Sequence, residues 1–438
     1  MSSGNANDAF PAHYGALRKR GENGAAPQAA KAEAAEPEVV GASTVSATVV
    51  NVTKGIIGSG MLALPVALGD ASVLPGMICL ALFAGVSAFS YALIGYCCAA
   101  TGEKTFHGLW TCTVGSSSTW AVQFCIILDT AFTLWAYSTL VADFLGKACL
   151  SLFPAVEILQ SRALMLGVIG TVFFAPLSFS RTIDALKYTS ALGLLATLYS
   201  LFYVCGDYVV SGEGVQNFTE NMFEVRLVIF KSISLYAFSF LCHYAAPQVY
   251  AELENKNPRS FCVVTGASFM ASFLIYAGFM LCGYGRWGQA VEGNVLKNYG
   301  EGSRAVLLMW VAMALSVMFS YPLIFATFKE NLYGMMGTDE RSASVGSRVL
   351  IVVLGVYSSV FLGTVFDDAS LVMGICGAIV SSAIMFIFPA LIYLYLPPAA
   401  CKGYAGKAPL RAASYALICV GILASVIGTG ATIADAME

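Results

Sequence analysis

Apolar runs long enough to cross a bilayer recur along this chain from about residue 45 onward, with short polar stretches between them. A membrane-spanning helix needs roughly 20 predominantly apolar residues. The pattern predicts eleven spans, near 45–69, 73–100, 119–149, 163–180, 186–210, 224–252, 260–283, 304–331, 346–365, 369–396 and 411–435. The expected fold class is therefore an all-α polytopic membrane protein. Pro75 suits the first turn of the second span, and the connection over 102–118 is polar at both ends, with room for a short interfacial helix. Residues 1–44 differ from the rest. They are rich in Ala, Gly, Pro, Asn and Glu, carry Arg18-Lys19-Arg20 and hold no apolar run. Such a segment buries too little to fold and reads as a disordered cytosolic tail. It lacks the apolar core of a signal peptide.

Composition agrees with the pattern. Of 438 residues, 58% are hydrophobic and 11% charged, with a mean hydropathy of +0.74. A soluble domain carries about 25% charged residues. No basic stripe interleaved with aromatics suggests nucleic acid as a partner. Thirteen cysteines are scattered through apolar segments without metal-ligand spacing, which reads as small membrane hydrophobes. No metal, no cofactor and no enzymatic nucleophile–base constellation is expected.

Lys and Arg give the orientation. With the N-terminus inside, fifteen of them fall inside and six outside, leaving Lys54 and Lys231 within spans. The inner set includes Arg18, Lys31, Lys104, Arg181, Lys256, Lys329, Arg341, Lys402 and Lys407; the outer set includes Lys147, Arg162, Arg226, Arg286 and Lys297. Asn217-Phe218-Thr219 is a glycosylation sequon in a loop that this topology places outside. The sequon at Asn51 lies inside a span and should be silent. Spans one to five cover about 45–210 and spans six to ten about 224–396. Five is odd, so the two groups must run in opposite orientations, a plan known for secondary transporters. Span eleven, 411–435, stands apart.

Two spans carry signs of a break. In the first, Gly58-Ser59-Gly60 interrupts the apolar run one turn after Lys54, and Pro65 follows. Hydrocarbon cannot satisfy freed backbone groups, so a break at that depth must line a cavity or be buried in protein. Freed amides near Met61 would favour an anion such as a carboxylate. The plainer reading of the same glycines is a small-residue packing face. Span six contains no glycine at the corresponding place. Pro247 removes the partner of the His243 carbonyl, which places a break or kink near residues 239–243. His243 could shuttle protons or simply pack as a hydrogen-bonded histidine.

These residues carry a resemblance. Gly58-Ser59-Gly60-Met61-Leu62-Ala63-Leu64-Pro65, then Phe238-Ser239-Phe240-Leu241-Cys242-His243 and Pro247-Gln248-Val249-Tyr250-Ala251-Glu252-Leu253, resemble the amino acid/auxin permease family. That family includes the sodium-coupled neutral and the proton-coupled amino acid transporters. The resemblance covers about 45–435 but not the tail. It implies the five-plus-five inverted repeat of the bacterial leucine transporter, with spans one and six broken and a site between spans one, three, six, eight and ten. Substrate contacts are then expected at Gly55, Ile57, Gly58, Ser59, Gly60, Met61, Tyr137, Phe238, Ser239 and Phe240.

One departure stands out. The sodium-coupled members have an asparagine resembling position 54 that helps ligate sodium, with a hydroxyl residue on span eight. This chain has Lys54, as do proton-coupled members with Lys-Gly before the break. An ammonium can replace a bound cation electrostatically but cannot ligate one. A lysine held in a low-dielectric site can also load and release a proton; alternatively it is a fixed charge that locks span one to span eight. Ser316 and Ser320 lie four apart, on one face of span eight, and Ser320, just before Tyr321-Pro322, is the hydroxyl expected opposite Lys54. Asp129, mid-span, is functional by default: it would pair with Lys54, take the coupling proton, or serve as a buried hydrogen-bonder. Tyr137 could close over substrate. Asp143 and Lys147 read as outer interface residues, and Lys231 snorkels or faces an outer vestibule.

The expected function is secondary active transport of small, mostly neutral amino acids, coupled to protons, in the plasma membrane or a lysosomal or vacuolar membrane. The expected partners are the amino acid substrate, the coupling ion and the bilayer. Two rivals remain: a sodium-coupled symporter, and a non-transporting amino acid sensor that signals through its tail.

Overall fold

The computed structural model describes residues 43–437 except 180–186, 212–213, 225–227, 301, 341 and 398–407. The expected tail lies outside the described residues but for Ser43 and Thr44, as do Arg181, Arg226, Arg341, Lys402 and Lys407 of the charge count. The first helix, α1 (Val45–Ile56), is capped by Thr44, whose side chain accepts from the Ala47 amide. Then come a 3-10 turn (Ser59–Ala63), α2 (Leu64–Ala71), α3 (Val73–Thr101), α4 (Phe106–Thr113) and α5 (Thr119–Leu152). A π-helical turn (Gly170–Phe174) joins α6 (Arg162–Ile169) to α7 (Ala175–Ser178). Next are α8 (Lys187–Ser211), α9 (Gly214–Glu220), α10 (Ile229–Ser239), a 3-10 turn (His243–Ala245) and α11 (Ala246–Glu252). The remainder is α12 (Pro258–Trp287), α13 (Arg304–Met335), α14 (Val345–Val365), α15 (Ala369–Cys376), two π-helical turns, α16 (Phe388–Leu394) and α17 (Ala408–Met437).

Among the described residues, eight helices are long and apolar enough to cross a membrane, or nine if α1 and the segment Ser59–Ala71, bent by 50°, count as one span. The helix Arg162–Ser178 is apolar but shorter. Large apolar side chains such as Leu82, Phe202, Val353 and Phe361 are exposed along the spanning helices, as a hydrocarbon solvent requires. The short helix expected between the second and third spans is α4, capped by Thr105.

Both expected breaks are present, and the two broken segments touch along their length. Near one end, the amides of Ser43 and Glu254 exchange hydrogen bonds with the carbonyls of Glu252 (3.2 Å) and Ser43 (3.1 Å). Near the other end, Ser232 Oγ donates to Ala67 O at 2.8 Å and Lys231 Nζ lies 3.5 Å from Asp70 Oδ2. Lys231, expected to snorkel or to face an outer vestibule, is part of an ion pair between α10 and α2. Against this pair of broken segments, α5 and α13 pack along one another, and α12 packs on α1, α2 and α3.

Candidate functional site: a cavity at two helix breaks

The first break begins where α1 ends. Ile57 Nα and Gly58 Nα still donate, to Thr53 O and Ile56 O, both at 2.8 Å. The 3-10 turn that follows has no side-chain cap, and Ser59, Gly60 and Met61 are all buried. A buried, uncapped helix start is an opening for a ligand's acceptor atoms. Gly58 has φ −103°, and neither Gly58 nor Gly60 is among the positive-φ glycines. The glycines serve closeness rather than a left-handed backbone. A Cβ on Gly60 would meet Ser239 Oγ at 2.5 Å and Ser239 Cα at 2.9 Å. The second break occupies residues 240–242, between α10 and the turn at His243.

A cavity of about 50 Å³ opens between the breaks, lined by Gly55, Ile56, Gly58, Ser59, Gly60, Asp129, Thr133, Tyr137, Phe238, Ser239, Leu241, Tyr244 and Ile324. A smaller one adjoins it, lined by Lys54, Ile57, Gly58, Ser59, Tyr137, Thr197, Met313, Ser316, Val317 and Ser320. Gly58, Ser59 and Tyr137 form the shared wall.

Most expected site residues thus converge, and the exceptions are informative. Met61 is fully buried and lines neither cavity. Phe240 also points away; it is fully buried, edge-on to Tyr276 at 5.1 Å and stacked near Phe269. The hydroxyl that meets Lys54 is Ser316, not Ser320: Lys54 Nζ lies 3.5 Å from Ser316 Oγ, while Ser320 Oγ donates back to Ser316 O at 2.8 Å. A serine inside a helix readily satisfies itself on the carbonyl one turn earlier, which removes Ser320 from the contest although it still lines the cavity. His243 lies outside both cavities. Its Nε2 sits 2.8 Å from Ser90 Oγ and 3.2 Å from Ser87 O, so it fastens the second break to α3.

Asp129 does not pair with Lys54. It accepts from Cys376 Sγ and Ser381 Oγ, each at 3.2 Å and both on Oδ1. Cys376 and Ser381 are five apart, at the edge and the end of the π-helical turn Gly377–Ser381. That turn brings both to one side, a frequent use of such bulges at functional sites. Cys376 therefore departs from the reading of the cysteines as inert hydrophobes. Asn217, the expected glycosylation acceptor, donates its amide to Gly285 O at 2.8 Å; a glycan there needs that bond released. At one end of α5, Asp143 bonds Arg162 at 2.8 Å and Asn294 at 3.3 Å, tying three segments together.

Several residues had no sequence signal pointing to them. Gly193 packs against Lys54: a Cβ there would meet Lys54 Cε at 2.7 Å and Ser316 Oγ at 2.8 Å. Tyr276 Oη lies 2.7 Å from both Ile56 O and Ser239 O. Thr133 was within reach of inference, since it sits one turn after Asp129.

The model of the family described as "Transmembrane amino acid transporter protein" matches residues 41–434. The chain belongs to that family. This amino acid/auxin permease is 25% identical over 391 residues to "Solute carrier family 38 member 8" of Mus musculus, covering 86% of this chain and 89% of that one. It is 22% identical over 399 residues to "Sodium-coupled neutral amino acid transporter 7" of Xenopus laevis, covering 87% of each. It is 23% identical over 362 residues to "Vacuolar amino acid transporter 5" of Schizosaccharomyces pombe, covering 79% of this chain and 83% of that one. The solved structure of MhsT in complex with L-phenylalanine aligns with TM-score 0.53 and 14% identity, covering 88% of this chain and 98% of that one. That likeness concerns the fold. The permease is a multi-pass membrane protein of a transporter family, not an enzyme.

Proposed function

We propose that this permease is a secondary active transporter of small, mostly neutral amino acids, coupled to protons, with Lys54 where a sodium ligand would otherwise stand. The observation that carries the coupling is the seat of Lys54. Its ammonium reaches Ser316 Oγ in a cavity that shares a wall with the larger one. A positive side chain there supplies the charge that a bound cation would supply, and it has no lone pair to ligate one while protonated. The substrate carboxylate would meet the amides of residues 59–61, since that of Gly58 already donates to Ile56 O. Its ammonium would meet carbonyls of residues 54–57 and 238–240, with Asp129 and Tyr137 on the facing wall. A cavity of about 50 Å³ favours small side chains, and larger ones would require the walls to part.

The topology we infer has eleven spans in two inverted groups of five, 45–210 and 224–396, followed by 411–435. Supporting it, the eight long helices and the bent first pair are joined by the shorter Arg162–Ser178 helix and by the split pair α10 and α11. Rocking of the broken spans against the α5–α13 pair would alternate access. The membrane is the plasma membrane or a vacuolar or lysosomal one.

Lys54→Ala is expected to abolish concentrative uptake driven by an imposed pH gradient in proteoliposomes, while counterflow persists. Uptake that keeps its full pH dependence removes the coupling argument. Sodium coupling is the second reading, favoured by the similarity to the sodium-coupled neutral amino acid transporter 7 of Xenopus laevis. Flux that requires sodium at constant pH decides for it.

A further inference from the structure

We propose that Tyr276 is the positioning residue of the transport site, its hydroxyl supplying the single hydrogen that two helix ends require where the broken spans meet. The inference rests on the proton-coupled reading above for its cation arm alone. Ile56 closes α1 and Ser239 closes α10. Each is therefore the carbonyl-bearing, partly negative end of its helix. Both carbonyl oxygens lie 2.7 Å from Tyr276 Oη.

Two negative ends converging inside a low-dielectric interior repel one another and need a positive partner. Unwound carbonyls and half-helix C-termini are the groups that hold coupling cations in transporters with discontinuous helices. Here a phenol stands at that point. It carries one proton, so the two carbonyls share it or take it in turn. Ile56 O also accepts from Gly58 Nα at 2.8 Å, which uses its second lone pair. The substrate's ammonium is thereby turned away from Ile56 and toward the neighbouring carbonyls.

The phenol is fixed by its surroundings. Tyr276 is fully buried on α12, and the Phe240 ring meets it edge-on. This gives Phe240 a task although it is absent from the cavity wall. A residue on an unbroken helix thereby ties together the ends of two broken ones.

Tyr276→Phe keeps the ring and removes only the hydrogen. In proteoliposomes at fixed pH, the KM for a small neutral amino acid should rise about tenfold, the scale of one buried hydrogen bond. Vmax per reconstituted copy should stay within about twofold of wild type. Uptake should also become stimulated by sodium relative to choline, because the freed carbonyls accept a small monovalent cation. An unchanged KM without sodium stimulation overturns the proposal. So does a fall in Vmax alone, or a lowered thermal midpoint with unchanged KM, since either assigns the hydroxyl to folding. If Tyr276→Phe does not reach the membrane, Tyr276→Met is measured by the same two criteria. Sodium dependence of the wild-type protein at constant pH sinks the coupling reading but leaves the KM arm standing, so the two failures are distinguishable.

Discussion

The two breaks are made by different means. The first is bounded by glycines, and Gly60 is pressed onto the backbone of Ser239 with no room for a methyl group. The second holds no glycine. Residues 240–242 leave the helix in front of a proline-bearing turn of α11, and His243 anchors them to α3 through Ser90 and Ser87. The first break thus presents a turn with no side-chain cap, whereas the second is held by His243 and Phe240, which lie outside the cavity lining. Both breaks border the same cavity, through Gly58, Ser59 and Gly60 on one side and Leu241 on the other, yet the first is made by close approach and the second by anchoring to a neighbouring helix.

The largest expected effect tests the close approach. Gly60→Ala should cut initial uptake per surface copy by at least about tenfold, because overpacking against backbone has no soft neighbour to yield. Gly58→Ala places its Cβ 3.7 Å from Tyr137 Oη, an ordinary contact, and should cost far less. Equal losses at the two positions would return both glycines to a conformational role. At the second break, His243→Ala should lower stability by about 2–4 kcal/mol, from a lost buried hydrogen bond and the cavity left behind. The pH profile of the remaining uptake should not move; a flattened profile would make His243 a proton carrier and erase the contrast. The smallest effects separate two hydroxyls. Ser316→Ala should shift the pH profile of uptake and lower its rate by about threefold, while Ser320→Ala should stay within about twofold, having lost only a bond to its own helix. The reverse order would restore Ser320 as the partner of Lys54.

Much of this arrangement was legible in the apolar pattern. The break after Lys54 showed because Gly-Ser-Gly and Pro65 interrupt a run that lipid would otherwise keep continuous. Asp129 showed because an ionisable group is costly at that depth, and Tyr137, two turns further on, came with the family resemblance. The choice between Ser316 and Ser320 was not legible. Both lie on one face of α13, and only the actual hydrogen bond of each hydroxyl separates them. Gly193 and Tyr276 were invisible for a further reason. Each acts on backbone or on a lysine contributed by a distant helix, and nothing in their own neighbourhood marks that meeting. The π-helical turn that aims Cys376 and Ser381 at Asp129 was likewise hidden, since a five-residue repeat inside an apolar span looks like any other packing.

The short bridge between Ser43 and the residues around Leu253 has a consequence for how this protein should be probed. Its hydrogen bonds run from main chain to main chain, so they belong to no side chain. A survey that replaces residues one at a time by alanine will pass over that contact in silence. The joint is written in the course of the chain rather than in its alphabet, and it answers to changes of backbone, such as an inserted residue or an imino acid, that such surveys omit.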